Sequence, residues 1–553
     1  MPGFFSTDES FSVLWDAWNT KHMLLTGQSM ARTDYIVYPF GVDFYHNQPV
    51  GYLWFAIKNF FYVLVTPVLS YNLMVIMNFF LTAFFTYLLV FYISGSRYAG
   101  IFSGIAFGFC PYMFARSWQH IGETFHWVVP LFLLSVFRLK NRNAFRDKSY
   151  VILSFILTSI NFNDIYYSSI VFAAFLLYAS LKWKRNKAYV TQLVILICIS
   201  FILLLPQFFP IFKSVILARN SLPSAQNIYR RPFEDLLAQS ARPLSYFLPA
   251  AVHPLFGKFT ESFVGTALYG ISFTEHTLYL GWTTLALAFL AFRKRASEKF
   301  YIGFFVLLTI VTWFFSQPPW WQIGPIKVFM PSFFMYKVLP MFRAYCRFGI
   351  MVMLAVAVLA GFGLKSVLEK FKGTKMKIAI TVLLCGSLLF EFWNWPPFKV
   401  INVSEFPAAY EWLKNEPAGL VIAEYPLDVN GANETYKLFQ TGHGHKIINA
   451  TVTGTYAHGV SSSITKLSAP RTAGVLKWMG VRYVFVHARD YLNTELIDVT
   501  QDFHKIPDTP GLKLVKNFST QECPEKDVKC VRDAGPIDVY EVTAPALMPE
   551  AGK

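Results

Sequence analysis

The sequence predicts an α-helical polytopic membrane protein of about ten spans with a small C-terminal α/β domain. Three observations lead there. Of the 553 residues, 54% are hydrophobic and 15% charged, against roughly a quarter charged in soluble domains. Apolar runs recur between residues 72 and 396, and every second loop between them is rich in Lys and Arg. Beyond about residue 400, short β-branched runs alternate with helical patterns instead.

Residues 1–70 read as a first outer loop holding an acidic pair and interfacial helices. In STDESFSVLWDAW, a helix from Ser6 or Thr7 aligns Phe11, Trp15 and Trp18 on one face, suited to the membrane interface. Turn signals follow at Tyr38-Pro39 and Asn47-Gln48-Pro49. Residues 51–69 are apolar but carry Lys58 and end near Pro67, so a surface or re-entrant segment is expected.

Residues 71–398 read as the transmembrane domain. Spans are expected at 72–94, 98–115, 124–140, 149–161, 164–181, 189–210, 277–293, 300–316, 346–364 and 378–396. Several fall short of the ~20 residues a crossing helix needs, which points to broken helices around a cavity. The basic loops carry residues such as Arg138, Lys184, Arg295 and Lys375. This is the pattern of cytoplasmic loops, and it accounts for the net charge of +16 without nucleic acid. It puts both chain ends outside, with long outer loops at 213–276 and 317–345. The opening segment has neither the basic region nor the apolar core of a signal peptide.

Residues 399–553 read as an extracytoplasmic α/β domain. Strands are expected at 419–427, 446–452, 481–487 and 537–542, and helices at 407–415 and 465–480. Cys523 and Cys530 share a polar segment where a disulfide is one of two open outcomes. Gly361-Phe362-Gly363 reads as a packing feature. His443 and His445 read as parts of a turn.

Candidate chemistry gathers at the outer ends of spans. Asp8 and Glu9 are carboxylates fit for general-base work, and they also suit the dipole of a helix that Ser6 or Thr7 caps. His120, Glu123 and His126 are spaced to share one helical face, near the membrane surface. Glu275-His276 precedes a span. Arg343 and Arg347 enter another, where guanidinium groups suit phosphate. Arg230 and Arg231 lie in the long outer loop. Asp164 lies at an expected outer turn, where an acid needs a wet cavity or a partner.

The order of these pieces resembles the GT-C superfamily of polytopic glycosyltransferases. The resemblance rests on Asp8-Glu9, TDYIVYPFGVDFYHN (33–47), Tyr71-Asn72, FGFCPYMFARSWQHIG (107–122), LGW (280–282), MFRAYCRFGIMVMLAVAVLAGFGL (341–364) and YEWLKNEPAGLVIAEYPL (410–427). It implies a sugar donor on a polyprenyl phosphate and an acceptor that is a glycan, lipid or protein. Asp8 and then Glu9 become the catalytic carboxylates. His120, Arg343 and Arg347 become donor-phosphate contacts. Glu123 and Asp164 become second acids or ligands of a divalent cation, Mg or Mn. His126, Glu275, His276, Arg230 and Arg231 are further candidates. The resemblance places the protein in the cytoplasmic (plasma) membrane, with its N-terminal loop and C-terminal domain outside. Family members lead into the acidic pair with a span, which is not seen ahead of Asp8. That difference keeps two other readings open: a non-catalytic subunit working with a further membrane partner, and a transporter or flippase of lipid-linked glycans.

Overall fold

The fold was analysed in a computed structural model. It describes residues 8–44, 52–118, 120–139, 232–270, 273–293, 298–338, 343–395, 401–427, 432–451, 455–494, 497–524 and 528–549, with isolated positions between 174 and 209. The expected spans 149–161, 164–181 and 189–210, and with them Asp164, Arg230 and Arg231, otherwise lie outside the described residues.

Helices α1 (Asp8–Leu25) and α2 (Tyr52–Leu64) precede α3 (Pro67–Ser94). At 28 residues, α3 is the longest helix described, and it begins five residues before the expected span. Pro67 sits at its first turn, where a missing N–H costs nothing. Gly95, at φ 68°, ends it in the left-handed conformation. Its buried Asn78 donates to Thr124, and its buried Thr82 and Thr86 donate to backbone carbonyls one turn back, which keeps these donors paired inside the protein.

The next expected span is broken into α4 (Arg97–Gly108) and α5 (Pro111–Ser117). Gly100, Gly104 and Gly108 repeat every fourth residue on α4 and meet α3. A Cβ on Gly104 would lie 2.7 Å from the Ala83 carbonyl oxygen, and one on Gly108 would lie 2.6 Å from the Ala83 Cβ. Small residues at this spacing let two membrane helices approach backbone to backbone.

Helix α6 (Val128–Leu139) follows, then short α7 (Phe233–Ala238), α8 (Gly257–Glu261) and α9 (Phe273–His276). Helices α10 (Trp282–Leu290), α11 (Lys299–Ser316), α12 (Pro331–Val338), α13 (Gly349–Leu368) and α14 (Thr374–Glu391) complete the bundle. Between α11 and α12, Trp320–Ile323 and Ile326–Phe329 form a hairpin with Ile323, Ile326 and Phe329 exposed. Every residue of α13 from Gly349 to Leu364 is buried, as befits a helix apolar on all sides. Gly361 and Gly363 do serve packing: a Cβ on Gly363 would stand 1.7 Å from the Leu287 carbonyl oxygen of α10. Among the described residues, Pro67–Ser94, Arg97–Ser117, Lys299–Ser316 and Tyr345–Leu368 are long and apolar enough to cross a membrane.

From Ile401 the chain builds an α/β layer. Its helices include α15 (Ala408–Lys414), α16 (Ala432–His443) and α17 (Tyr456–Ser463). The strands are β1 (Val421–Tyr425), β2 (Lys446–Ile447), β3 (Val481–His487), β4 (Leu512–Phe518) and β5 (Ile537–Val542). They lie side by side in the order β2-β1-β3-β5-β4. The first three are parallel, and β5 pairs antiparallel with β3 and β4. Three of the expected strands recur closely. The fourth, 446–452, shrinks to two residues, and β4 was not expected because its pattern is mostly solvent-exposed. The expected helix 465–480 shortens to Thr472–Trp478, since Asp502 takes the backbone N–H groups of Leu467 and Ser468. Cys523 and Cys530 are disulfide-bonded.

The first residues pack against this layer. Phe11 and Trp15 are buried with Leu413, Ile422 and Phe485, and the Trp15 indole donates to Gln440 at 2.7 Å. An aromatic face expected to meet lipid meets protein, because amphipathic spacing does not distinguish the two. Tyr38 donates its backbone N–H to Ile447, and Ile447 donates to Tyr35, so the first loop extends the β2 edge. Phe11, Trp15 and the α/β core therefore fold together on one side of the bundle.

Replacing Gly104 by Leu should disrupt the α3–α4 contact and destabilise the protein by about 1–3 kcal/mol. Thermal melting of the purified protein in detergent would register this as a lowered midpoint, and an unchanged midpoint would mean that α3 can move aside.

Candidate functional site

A buried ionic network forms where four segments meet. The break between α4 and α5 lets the chain restart at Pro111 and aim Arg116 inward from the last turn of α5. A 3₁₀ turn, Ile121–Thr124, supplies Glu123, and α9 supplies Glu275. A second 3₁₀ turn, Tyr345–Phe348, supplies Cys346 and Arg347 at the head of α13.

Glu275 is the hub. Arg116 grips it with both terminal nitrogens, Nη1 at 2.9 Å from Oε1 and Nη2 on Oε2. Arg347 reaches Oε1 with Nη2 at 3.0 Å, and the Cys346 thiol donates to Oε2 at 2.9 Å. Arg347 Nη1 also holds Glu123 Oε1 at 2.7 Å. The Arg116 guanidinium is fully buried and lies 4.9 Å above the Tyr112 ring. Two cations and two anions sum to zero, which is the condition for keeping charges out of water. Burial opposes ionisation of Glu275, but the Arg116 and Arg347 guanidiniums outweigh it and hold the carboxyl well below its usual range. Glu123 is lowered in the same way: burial opposes, while Arg347 and Arg116 prevail.

The expected site residues divide accordingly. Glu123, Glu275 and Arg347 come together. Arg343 pairs with Asp235 at 3.3 Å instead. His276 is buried, its Nε2 2.9 Å from the Ser240 carbonyl oxygen, and Gly270 makes room for its ring. His120, Glu123 and His126 do not share a helical face. The 3₁₀ turn is too short for that, so Glu123 meets Arg347 while His126 is buried near the Tyr112 ring. His120 precedes the turn and is partly buried. Asp8 and Glu9 open α1, but their side chains lie outside the described residues. Ser10, next in line, donates to the Trp118 carbonyl oxygen at 3.1 Å, which sets the start of α1 beside the loop leading to His120 and Glu123. Among the described residues no three His, Cys, Asp or Glu side chains converge on a metal position. Glu123 and Glu275 are already neutralised by arginine, so they do not fit a divalent-cation set.

Arg116 and Cys346 were not foreseen as parts of the network. For Arg116 the signal was present: a guanidinium closing an apolar run requires a partner.

A trough of about 770 Å³ adjoins this region. Its walls are apolar, with Leu14, Val75, Phe79, Phe109 and Phe114 among them, and polar Ser10, Asn72 and Ser117 also line it. Exposed Ile76 and Phe80 of α3 border it.

The fold is that of the GT-C glycosyltransferases, and with its apolar helices it marks an integral membrane protein. The chain superposes on the arabinofuranosyltransferase AftD from Mycobacteria with a TM-score of 0.58 at 14% identity, covering 97% of this chain and 39% of AftD. It superposes on ArnT from Cupriavidus metallidurans, bound to undecaprenyl phosphate, with a TM-score of 0.52 at 10% identity, covering 97% of this chain and 94% of ArnT. The chain thus spans about two fifths of AftD and nearly all of ArnT. No family model and no curated protein sequence matches it.

Replacing Arg116 by Met should cost about 3–5 kcal/mol, because it strands a buried charge. Glu275 is depressed below its ordinary 4.5, so its contribution is present above that value and fades as pH falls through the folded-state value. Melting curves from pH 7 to pH 3 should show an acid limb in the parent that is weaker in Glu275→Gln; equal limbs would remove Glu275 as the titrating hub.

Proposed function

We propose that this protein is an integral-membrane glycosyltransferase that moves a sugar from a polyprenyl-phosphate carrier to an acceptor hydroxyl on the outer face of the membrane. The observation that carries this reading is the apolar trough along α3, which reaches the start of α1. A polyprenyl chain suits such walls, since each buried CH₂ contributes about 0.8 kcal/mol. Its phosphate would emerge near Ser10, Trp118 and His120.

In this reading Asp8, with Glu9 as second candidate, takes the proton from the acceptor hydroxyl. The acceptor oxygen bonds to the anomeric carbon, the bond from that carbon to the phosphate oxygen breaks, and polyprenyl phosphate leaves with the electron pair. The Glu123–Arg347 contact acts as a positioning element by fixing the loop that borders the start of α1.

The test uses the full-length protein in lipid nanodiscs with radiolabelled polyprenyl-phosphate hexoses and pentoses. Asp8→Asn or Glu9→Gln should lower transfer by about 10²–10⁴-fold with an unchanged melting midpoint. Val75→Trp, which fills the trough, should raise the donor KM. Undiminished transfer by the double acid variant would take both carboxylates out of the reaction. A parent protein that turns over none of these donors would sink the transferase reading.

A further inference from the structure

A second cavity, of about 300 Å³, lies in the α/β layer. It is bordered by His487 at the carboxyl end of β3, by Phe439 and Thr435 of α16, by Arg489, Asp490 and Asn493, and by Lys529 and Asp533. Strands β1 and β3 are parallel neighbours, and ligands of open α/β sheets bind outside the carboxyl ends of such strands. The volume is at the lower limit for small-molecule sites.

A buried acid–imidazole pair stands behind the wall. Glu424 Oε2 lies 2.8 Å from His487 Nε2, and the Tyr410 hydroxyl donates to the same oxygen at 3.0 Å. Glu424 and His487 are 0% and 1% exposed. Glu424 Oε1 is buried with no hydrogen-bond partner among the described residues. Stacked aromatic rings, Phe485 on Tyr410 and Phe439 on His487, surround the pair. Burial pushes the Glu424 carboxyl up, and the His487 contact opposes that rise. An apolar pair would suit this core at least as well, so stability does not account for the arrangement.

What the arrangement does is orient the imidazole. The Nε2–H donates to Glu424, which fixes the tautomer in which Nδ1 accepts. Nδ1 makes no hydrogen bond among the described residues, and the ring borders the cavity. The remaining wall is balanced in charge. Arg489 is paired with Asp533 at 2.6 Å, and Asp490 accepts from Tyr436 at 3.2 Å. Mixed donors and acceptors, no excess of either sign, and aromatic rings at Phe11 and Phe439 suit a neutral polyhydroxylated ring better than a phosphate or a carboxylate. Phe11 and Ile401 line both this cavity and the apolar trough, so the two spaces adjoin.

We infer that this cavity is the acceptor subsite: it holds the terminal sugar residue of a glycan acceptor, with His487 Nδ1 accepting a hydrogen bond from a ring hydroxyl and Glu424 holding the imidazole in place. The inference rests on the transferase reading for the word acceptor, but sugar binding itself does not. His487 is a binding residue here, and Glu424 is a positioning residue.

The experiment is a titration of the full-length protein in detergent with mannose, galactose, arabinose, rhamnose and N-acetylglucosamine, followed by ligand-observed NMR. At least one sugar should bind the parent. His487→Gln should weaken it at least tenfold, and Glu424→Gln should weaken it while altering the His487 ring nitrogen shifts. Asn493→Trp blocks the cavity from an exposed rim position, spares the core, and should abolish binding without moving the melting midpoint; it decides the matter if a core variant fails to fold. Binding of none of the five sugars, or binding that Asn493→Trp leaves intact, overturns the inference. The two readings separate cleanly. Normal acceptor KM in Asn493→Trp during lipid-donor turnover removes the subsite and keeps the transferase. Sugar binding lost in Asn493→Trp, with no transfer by the parent, keeps the sugar site and removes the transferase, and with it the acceptor role.

Discussion

The arrangement of the candidate site in the bundle depends on Glu275 being held between two guanidiniums. Arg116 and Glu123 are close in the chain, but their partners are not: Arg116 and Glu275 are separated by 159 positions, and Glu123 and Arg347 by 224. Arg116 and Glu275 are buried, and neither charge is tolerable there alone, while Glu123 and Arg347 are half-buried at the edge of the network. Together they are neutral, and they pin the end of α5, the 3₁₀ turn after it and the head of α13 into one arrangement. The loop held in this way carries Trp118, which accepts from Ser10 and so determines where α1 begins. The start of α1 is therefore tied, through Ser10 and Trp118, to the loop that the ion network holds.

Helix α1 transmits that constraint outward. One side of it joins the membrane bundle through Ala17 and through the Asp16–Lys58 pair. The other side is buried against α16, where Trp15 and Ser12 meet Gln440, Glu434 and Lys437. The α/β layer is thus docked on the bundle through the chain's own first helix. Few contacts would be needed to move a loosely tethered domain, but this one shares a hydrophobic core with α1. That shared core bears on the trough and the cavity, which adjoin at Phe11 and Ile401.

Much of the fold was legible in the sequence, for identifiable reasons. Strands β3 and β5 are β-branched and aromatic runs with clear turn signals, and their bounds match. Helix α13 is apolar on all sides and could only be a buried span. The resemblance to GT-C enzymes rested on the order of motifs, and the fold agrees with it. What escaped was of two kinds. Local period misled twice: the Phe11–Trp15 face is apolar toward protein, and the His120–Glu123–His126 spacing presumes a helix that a 3₁₀ turn replaces. Long-range pairing was invisible, because a single sequence does not say that Arg116 waits for Glu275 at a separation of 159. The glycine repeat of α4 went unread, although small residues four apart in an apolar run are a signal for close helix packing.

The two adjoining spaces differ in the way the proposed chemistry requires. A lipid-borne leaving group needs an apolar bed and a boundary from which phosphate can emerge. An acceptor needs a polar bed that orients one hydroxyl among several, which calls for fixed hydrogen-bond partners more than for net charge. A rigid imidazole held by a buried carboxylate is such a partner, and its burial cost is the expense of keeping it from turning. Phe11 lines both spaces, so under this proposal one ring would stand between the lipid bed and the acceptor bed. On this view the α/β layer is part of the reaction chamber, and its docking through α1 is what brings the acceptor to the carboxylates.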